Sequence, residues 1–223
     1  EIESSINENI PLYLRSNIAF KLAVDEYQYQ NKITLENKQS ILNCGAYNNS
    51  SVVFSILSPK AKVFAFEPQL DVHKQNIVIA KSIPNIVPIN KGLWKENTRL
   101  FFHTRIDSSG SSTGSKLIEE ENENTSFIDV INLDCFVKDN ELLNVDFIKM
   151  DVEGAELEAL DGAASLIKQF KPDLAISIYH EPEHLYEIPL KIKALVSDYD
   201  IYIDHKYAGV CETVCFATVK KYK

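Results

Sequence analysis

Two turns in the sequence place small, polar and acidic residues directly after largely apolar runs. The first turn lies in ILNCGAYNNSS (41–51), where the run ends at Gly45. The second lies in VDFIKMDVEGAE (145–156), where Asp151 and Glu153 follow the run. A buried strand that feeds a turn and then a helix is the arrangement with which α/β proteins hold nucleotide-like ligands. We therefore expect both turns to border one site.

A third acidic residue indicates which ligand this site takes. Glu67 ends the run KVFAFE, 22 residues after Gly45, close to the spacing of about 20 residues expected for a ribose ligand. Dinucleotide sites use G-x-G-x-x-G so that the backbone can approach a pyrophosphate, but Tyr47 and Ser50 occupy the second and third glycine positions. This pattern favours a cofactor that has ribose and adenine but no phosphate, namely S-adenosylmethionine.

Strand-like and helix-like segments alternate along most of the chain. Because apolar strands that alternate with helices form parallel sheets, while the last two strands are joined by a loop too short for a helix, we predict an α/β fold. Its sheet has seven strands, is mostly parallel and ends in an antiparallel hairpin. The predicted strands are 41–44, 62–67, 85–90, 145–150, 173–179, 200–204 and 213–219.

Residues 1–40 and the region 93–133 do not follow the alternation of strands and helices. We predict a helical extension at 1–40 and a single Rossmann-like domain at 41–223. In the region 93–133, TRLFFH and FIDVINL have the composition of strands. The loop SSGSSTG (108–114) between them is interpreted as a flexible linker, with a mobile lid over a site as the alternative. The acidic stretch EEENEN (119–124) is predicted to be a solvated loop.

Composition disfavours several classes of function. The net charge is −9 and no basic cluster is longer than KK, so nucleic acid is a poor candidate partner. No apolar stretch approaches the roughly 20 residues of a membrane span, and no signal peptide is recognised, so a cytoplasmic location is expected. Cys211 and Cys215 lack the second ligand pair of a structural zinc site. We expect no resident metal and a small-molecule or glycan substrate.

Five blocks of the sequence resemble the FkbM-family methyltransferases, in order and with similar spacing: NCGAYNNSS, FAFEP, INKGLW, DFIKMDVEGAELEALDGA and ISIYHEP. The resemblance covers about 41–219, and IKMDVEGAE is its most specific part. It implies a Rossmann-like class I methyltransferase fold and S-adenosylmethionine-dependent O-methylation of hydroxyls on sugars, bacterial surface glycans or natural products.

The resemblance also implies roles for individual residues. Those expected to contact the cofactor are Asn43 near its ammonium group, Gly45, Ala46 and Tyr47 at the methionine part, Glu67 with Pro68 at the ribose, and Asn90 near adenine. Asp151 and Glu153 are expected to face the methyl group. His180, which follows strand 173–179 at the same edge, is predicted to be the general base, because its ordinary pKa of about 6.5 suits proton transfer near neutral pH. Asp151 is the competing candidate.

The sequence departs from the family pattern at two positions. Asn43 stands where the family usually has aspartate, and Asn49 where it usually has glycine. These departures leave open a degenerate, non-catalytic binding or scaffold domain. A third reading is a metal-assisted methyltransferase, in which Asp151, Glu153 and His180 surround a divalent ion such as Mg²⁺.

Overall fold

The computed structural model describes residues 27–47, 50–106, 112–118, 125–205 and 212–219. Its main sheet has seven strands in the order β10-β11-β9-β8-β1-β2-β3. The strands within these residues, in chain order, are β1 Ser40–Cys44, β2 Lys62–Phe66, β3 Ile86–Ile89, β4 Gly92–Leu93, β5 Thr98–Ile106, β6 Ser112–Ile118, β7 Thr125–Ile131, β8 Phe147–Met150, β9 Asp173–Ser177, β10 Tyr199–His205 and β11 Thr213–Val219.

The pairing of the main sheet confirms the predicted topology. Strands β3, β2, β1, β8 and β9 pair in parallel, whereas β11 pairs antiparallel with both β9 and β10. β1 lies between β2 and β8, which are far apart in the sequence. Strand order reverses at this point, so the carboxyl ends of β1 and β8 open onto one crevice.

Helices cover both faces of the main sheet. One face packs a buried cluster that includes Phe136, Leu160 and Ile188, and the other packs a cluster that includes Val53 and Ile79. The fold is therefore three layers, helix on sheet on helix. The described helices are α1 Ser50–Leu57, α2 Leu70–Ser82, α3 Leu133–Asp139, α4 Glu156–Asp161, α5 Ala164–Phe170 and α6 His184–Leu195.

The region 93–133 forms a second, smaller sheet that the sequence only partly predicted. Its order is β4-β7-β5-β6, and Phe102, Ile128 and Val130 form its own buried cluster. The predicted strand FIDVINL (127–133) extends two residues beyond the end of β7 at Ile131. The strand ends there because the Asn132 side chain accepts a hydrogen bond from the Cys135 amide and caps α3. Within the predicted linker, β6 begins at Ser112, while 107–111 and the acidic stretch lie outside the described residues.

Two helix predictions need correction. The helical spacing of Leu160, Ala163, Ile167 and Phe170 predicts one helix after Asp151. The structure divides it into α4 and α5 at Gly162, where an added Cβ would lie 2.2 Å from the Trp94 carbonyl oxygen. The sequence also predicts that Pro189 forces a break or a new first turn in the following helix, but neither occurs, and α6 runs through Pro189. A proline removes only one backbone donor, and the packing of α6 on the core retains the helix.

The predicted N-terminal helical extension is described only from Tyr27 onward. Residues 27–39 form turns and an isolated bridge between Tyr29 and Ile33, and no helix lies in this part. Tyr27, Ile33 and Leu35 are buried in the same cluster as α1. Among the described residues, no helix has both the length and the apolar character needed to cross a bilayer.

Candidate cofactor and catalytic site

A cavity opens at the carboxyl ends of β1, β2 and β8, where strand order reverses. Six of the residues that the sequence singled out line it: Gly45, Tyr47, Glu67, Pro68, Asp151 and Glu153. The two turns expected to border one site therefore do so.

The turn after β1 is shaped by Gly45. Its backbone is left-handed, with φ of 77°, and an added Cβ would lie 1.8 Å from the Asp151 carbonyl oxygen. The Gly45 and Ala46 amides both donate to the Phe66 carbonyl oxygen, at 3.1 and 2.8 Å. The chain therefore needs glycine here to bring the two turns together. Tyr47, which is largely exposed, lies at the cavity rim.

Two residues predicted to bind the cofactor lie beneath the cavity instead of lining it. Asn43 is fully buried, and its Nδ2 donates to Ser50 Oγ and Ser51 Oγ at 2.8 and 2.7 Å. This contact connects β1 to the start of α1. Ala46 is fully buried in the core cluster of α1. Asn48 and Asn49 lie outside the described residues.

Glu67 provides a buried carboxylate at the end of β2. The residue is 4% exposed, and its Oε1 accepts from the Gln69 amide at 2.9 Å. Burial, the largest effect, raises the pKa of Glu67 to about 7. Asn90 does not line the cavity; its Nδ2 donates to the carbonyl oxygens of Glu67 and Pro68, at 2.9 and 3.0 Å, and it borders the adjoining groove. Asn90 thus holds the Glu67 turn in place.

Asp151 lies at the floor of the cavity among three potential donors. Tyr179 donates its hydroxyl to Oδ1 at 3.3 Å, and His180 Nε2 lies 3.4 Å from the same oxygen. Lys149 Nζ lies 3.4 Å from Oδ2 and also donates to the Gly45 carbonyl oxygen at 2.8 Å. Lys149 is 4% exposed, so a buried cation joins the two turns.

His180 lies behind the cavity lining and faces three carboxylates. Nε2 is 3.7 Å from Glu153 Oε2, in addition to its contact with Asp151, and Nδ1 is 2.9 Å from Glu156 Oε1. No aligned hydrogen bond reaches either ring nitrogen from the described residues, so these contacts are ionic. Burial would lower the pKa of His180, but Glu156, Asp151 and Glu153 outweigh burial and raise it to about 9.

Glu156 belongs to the site although the sequence alone did not indicate it; it lies inside the block MDVEGAE. Glu156 is fully buried. Burial by itself would raise its pKa, but His180, His184 and the Val152 amide outweigh burial and lower it to about 2. Asp151, Glu156 and His180 offer one ligand atom each within 4.8 Å of one another, a distance at which a cation could bind. The signal available in the sequence was the pair of histidines in HEPEH, His180 and His184, four residues apart.

The second sheet supplies a wall of the cavity that the sequence did not predict. Phe102 and Ile128, each less than a tenth exposed, line the cavity together with Lys91 and Gly92. Lys91 Nζ lies 2.8 Å from Asp129 Oδ2. The small sheet therefore supplies apolar lining to the same cavity that Asp151 and Glu153 line.

Two methyltransferases, one compared by sequence and one by crystal structure, resemble this chain over about half of their own length. The Hexuronic acid methyltransferase AglP of Haloferax volcanii is 31% identical over 114 residues, which are 51% of this chain and 46% of that protein. The crystal structure of methyltransferase FkbM from Methylobacillus flagellatus has a TM-score of 0.65 and 23% identity over 86% of this chain and 47% of that one. The chain therefore spans about half the length of both relatives.

The fold extends to other methyltransferases of class I. Aeropyrum pernix fibrillarin, solved with S-adenosylmethionine natively bound, has a TM-score of 0.53 at 13% identity, over 89% of this chain and 74% of that one. At such low identity the likeness shows only the fold. The family model of the methyltransferase FkbM domain matches residues 43–204, nearly all of the main sheet with its site. The chain belongs to the FkbM methyltransferase family.

Proposed function

We propose that this protein is an S-adenosylmethionine-dependent O-methyltransferase that acts on a hydroxyl group of a sugar, a glycan or a related small molecule. The observation that carries the proposal is the single cavity in which Gly45, Glu67 and Asp151 meet at the strand-order reversal. Membership in the FkbM family supports methyl transfer. The relative named as a hexuronic acid methyltransferase favours a sugar acceptor.

The residues present fit this cofactor. Gly45 leaves space for close approach to the backbone, and Glu67 presents a buried carboxylate of the kind that accepts hydrogen bonds from ribose hydroxyls. When bound, S-adenosylmethionine supplies the electrophilic methyl group. Phe102 and Ile128 exclude water from the apolar side of the cavity.

The acidic side of the cavity is proposed to handle the proton of the acceptor hydroxyl. His180 Nε2 faces Asp151 and Glu153. Because the carboxylates raise the pKa of His180 to about 9, the ring is mostly protonated near neutral pH, and only its neutral fraction, which grows as the pH rises, accepts the proton. Asp151 is the alternative acceptor of the proton, because it lines the cavity directly. Alignment of the acceptor oxygen with the methyl group and removal of its proton are the two tasks of these residues.

The test uses the wild-type protein with two oligosaccharide probes, one ending in glucuronic acid and one in glucose. Mass spectrometry of the product is expected to detect an added methyl group on at least one probe, and titration calorimetry is expected to detect binding of S-adenosylhomocysteine. Absence of binding at millimolar ligand would instead support the degenerate scaffold suggested by Asn43 and Asn49.

A metal-assisted reaction is the second candidate mechanism. The proximity of Asp151, Glu156 and His180 favours it, since carboxylates and imidazole are ligands of divalent metals. The same assay is repeated after treatment with EDTA and after addition of Mg²⁺ or Mn²⁺. Activity that survives EDTA excludes a required, removable metal.

A further inference from the structure

Glu156 supports a strained turn at the edge of the cavity. Its Oε1 accepts from the Val152 amide at 2.8 Å and its Oε2 from the Gly154 amide at 3.1 Å. Glu153, which lies between these two amides, has a φ of 58°, and Gly154, which carries the second amide, has a φ of 99°. A left-handed backbone is costly for a non-glycine residue and persists only where its surroundings enforce it. The Glu156 carboxylate is one of the groups that enforce it.

The same carboxylate contacts two histidines. His180 Nδ1 lies 2.9 Å from Oε1, and His184 Nδ1 lies 3.3 Å from Oε2. The two amides occupy two of the roughly four acceptor positions of a carboxylate, and the two ring nitrogens lie within ion-pair distance of the same oxygens. The opposite nitrogen of His180, Nε2, faces Asp151 and Glu153. Glu156 therefore touches both the residue and the turn that face the reaction, although it does not line the cavity.

We propose that Glu156 is a positioning residue for methyl transfer: it directs Nδ1 of His180 inward, so that Nε2 faces the acceptor, and it fixes the turn that carries Glu153. This inference rests on the proposed function in one respect: methyl transfer is the reaction in which Nε2 accepts the proton of the acceptor hydroxyl. Protonation of Nδ1 beside a buried carboxylate selects the tautomer whose Nε2 accepts a proton.

A purely structural role and a metal site account for fewer of these contacts. If Glu156 only stabilised the turn, its hydrogen bonds from the Val152 and Gly154 amides would suffice, and the contact with His180 would have no role. A cation held by Asp151, Glu156 and one ring nitrogen of His180 would account for that nitrogen but not for the carboxylate contact at the opposite nitrogen. A carboxylate that orients a histidine accounts for both.

The first experiment needs no enzymatic activity, and its readout comes from the wild-type protein. Nitrogen NMR of the wild-type protein, labelled with ¹⁵N in its histidine rings, reports which nitrogen of His180 carries the proton when the ring is neutral; His180→Ala identifies the signal. Protonation at Nδ1 is expected. A neutral ring protonated at Nε2 would overturn the proposal. This result is independent of whether methyl transfer is the reaction.

The second experiment compares Glu156→Gln with Glu158→Gln, a control on the same helix, using whichever oligosaccharide probe accepts the methyl group. Glu156→Gln is expected to lower kcat by at least about tenfold, while the dissociation constant of S-adenosylhomocysteine changes less than threefold. Circular dichroism confirms that each variant is folded. Unchanged kcat in folded Glu156→Gln, or equal losses in kcat and cofactor affinity, would contradict a positioning role.

A double-mutant cycle tests whether Glu156 acts through His180. If it does, Glu156→Gln combined with His180→Ala loses no more activity than His180→Ala alone. Additive losses would overturn the inference. If Glu156→Gln fails to fold, the tautomer measured on wild-type protein decides the matter. If the wild type methylates neither probe but Nδ1 is protonated, the result counts against the proposed function and supports the orientation of His180 by Glu156.

Discussion

Gly45 and Asp151 approach so closely that a Cβ on Gly45 would lie 1.8 Å from the Asp151 carbonyl oxygen. The two residues end neighbouring parallel strands, β1 and β8. Lys149 strengthens the approach, because its buried ammonium group contacts both turns. The site therefore depends on backbone contact between two turns that are about 100 residues apart in the sequence.

Replacement of Gly45 by alanine is expected to destabilise the fold and abolish cofactor binding. The left-handed backbone alone costs about 1–2 kcal/mol for a residue with a Cβ, and the overlap with Asp151 adds to it. Thermal unfolding and calorimetry with S-adenosylhomocysteine measure the two effects. Lys60→Ala, an exposed position, is the control; wild-type stability in Gly45→Ala would mean that the turns can separate freely.

Substitution of Glu67 by glutamine is expected to weaken binding of S-adenosylhomocysteine about tenfold or more. Hydrogen bonds to charged groups contribute about 1.5–3 kcal/mol, and a factor of ten corresponds to about 1.4 kcal/mol. Asp71→Asn, on the exposed first turn of α2, serves as the control. Equal affinity in Glu67→Gln and wild type would show that Glu67 does not hold the ribose.

The affinity of the wild type for S-adenosylhomocysteine is expected to fall as the pH drops below about 7. The raised pKa of Glu67 means that the carboxyl is protonated below this pH, and ribose hydroxyls donate more strongly to the carboxylate than to the neutral acid. Affinity should therefore rise with pH and level off above about 7. Calorimetry from pH 5.5 to 8 (values chosen about that pKa) measures it, and Glu67→Gln should lack this dependence.

Removal of the Phe102 ring is expected to lower cofactor affinity about tenfold, because the apolar wall of the cavity is lost. Burial of a phenylalanine side chain contributes about 1.5–3 kcal/mol, and only part of this ring faces the cavity. Phe101→Ala is the matched control, since adjacent strand residues point to opposite faces and Phe101 packs against Phe127. Similar losses in both variants would indicate general damage to the small sheet.

His180→Ala is expected to lower kcat by about 10²-fold or more, the usual effect of losing a general base. Cofactor affinity should stay nearly constant, because His180 lies behind the cavity lining. Methyl transfer and binding are measured in parallel, with His205→Ala on β10 as the control. If His180→Ala keeps its kcat while Asp151→Asn loses it with binding intact, the base is Asp151.

The sequence alone determined the main sheet and the two turns of the site. Apolar β-branched runs alternate with helical spacing, and a short connection requires the last two strands to be antiparallel; these are local patterns that can be read without the fold. The positions of Gly45, Glu67 and Asp151 followed from the rule that ligands lie beyond the carboxyl ends of parallel strands. The cavity confirms their common location.

Only the tertiary structure decided what each polar side chain contacts. Asn43, predicted to contact the cofactor, reaches the serines of α1, and Asn90 holds the Glu67 turn. Sequence spacing places a residue at a strand end, but its partners depend on how distant elements pack. For the same reason, the sequence did not indicate that Glu156 connects the turn after β8 to the histidines that follow β9, or that a separate small sheet covers the cavity.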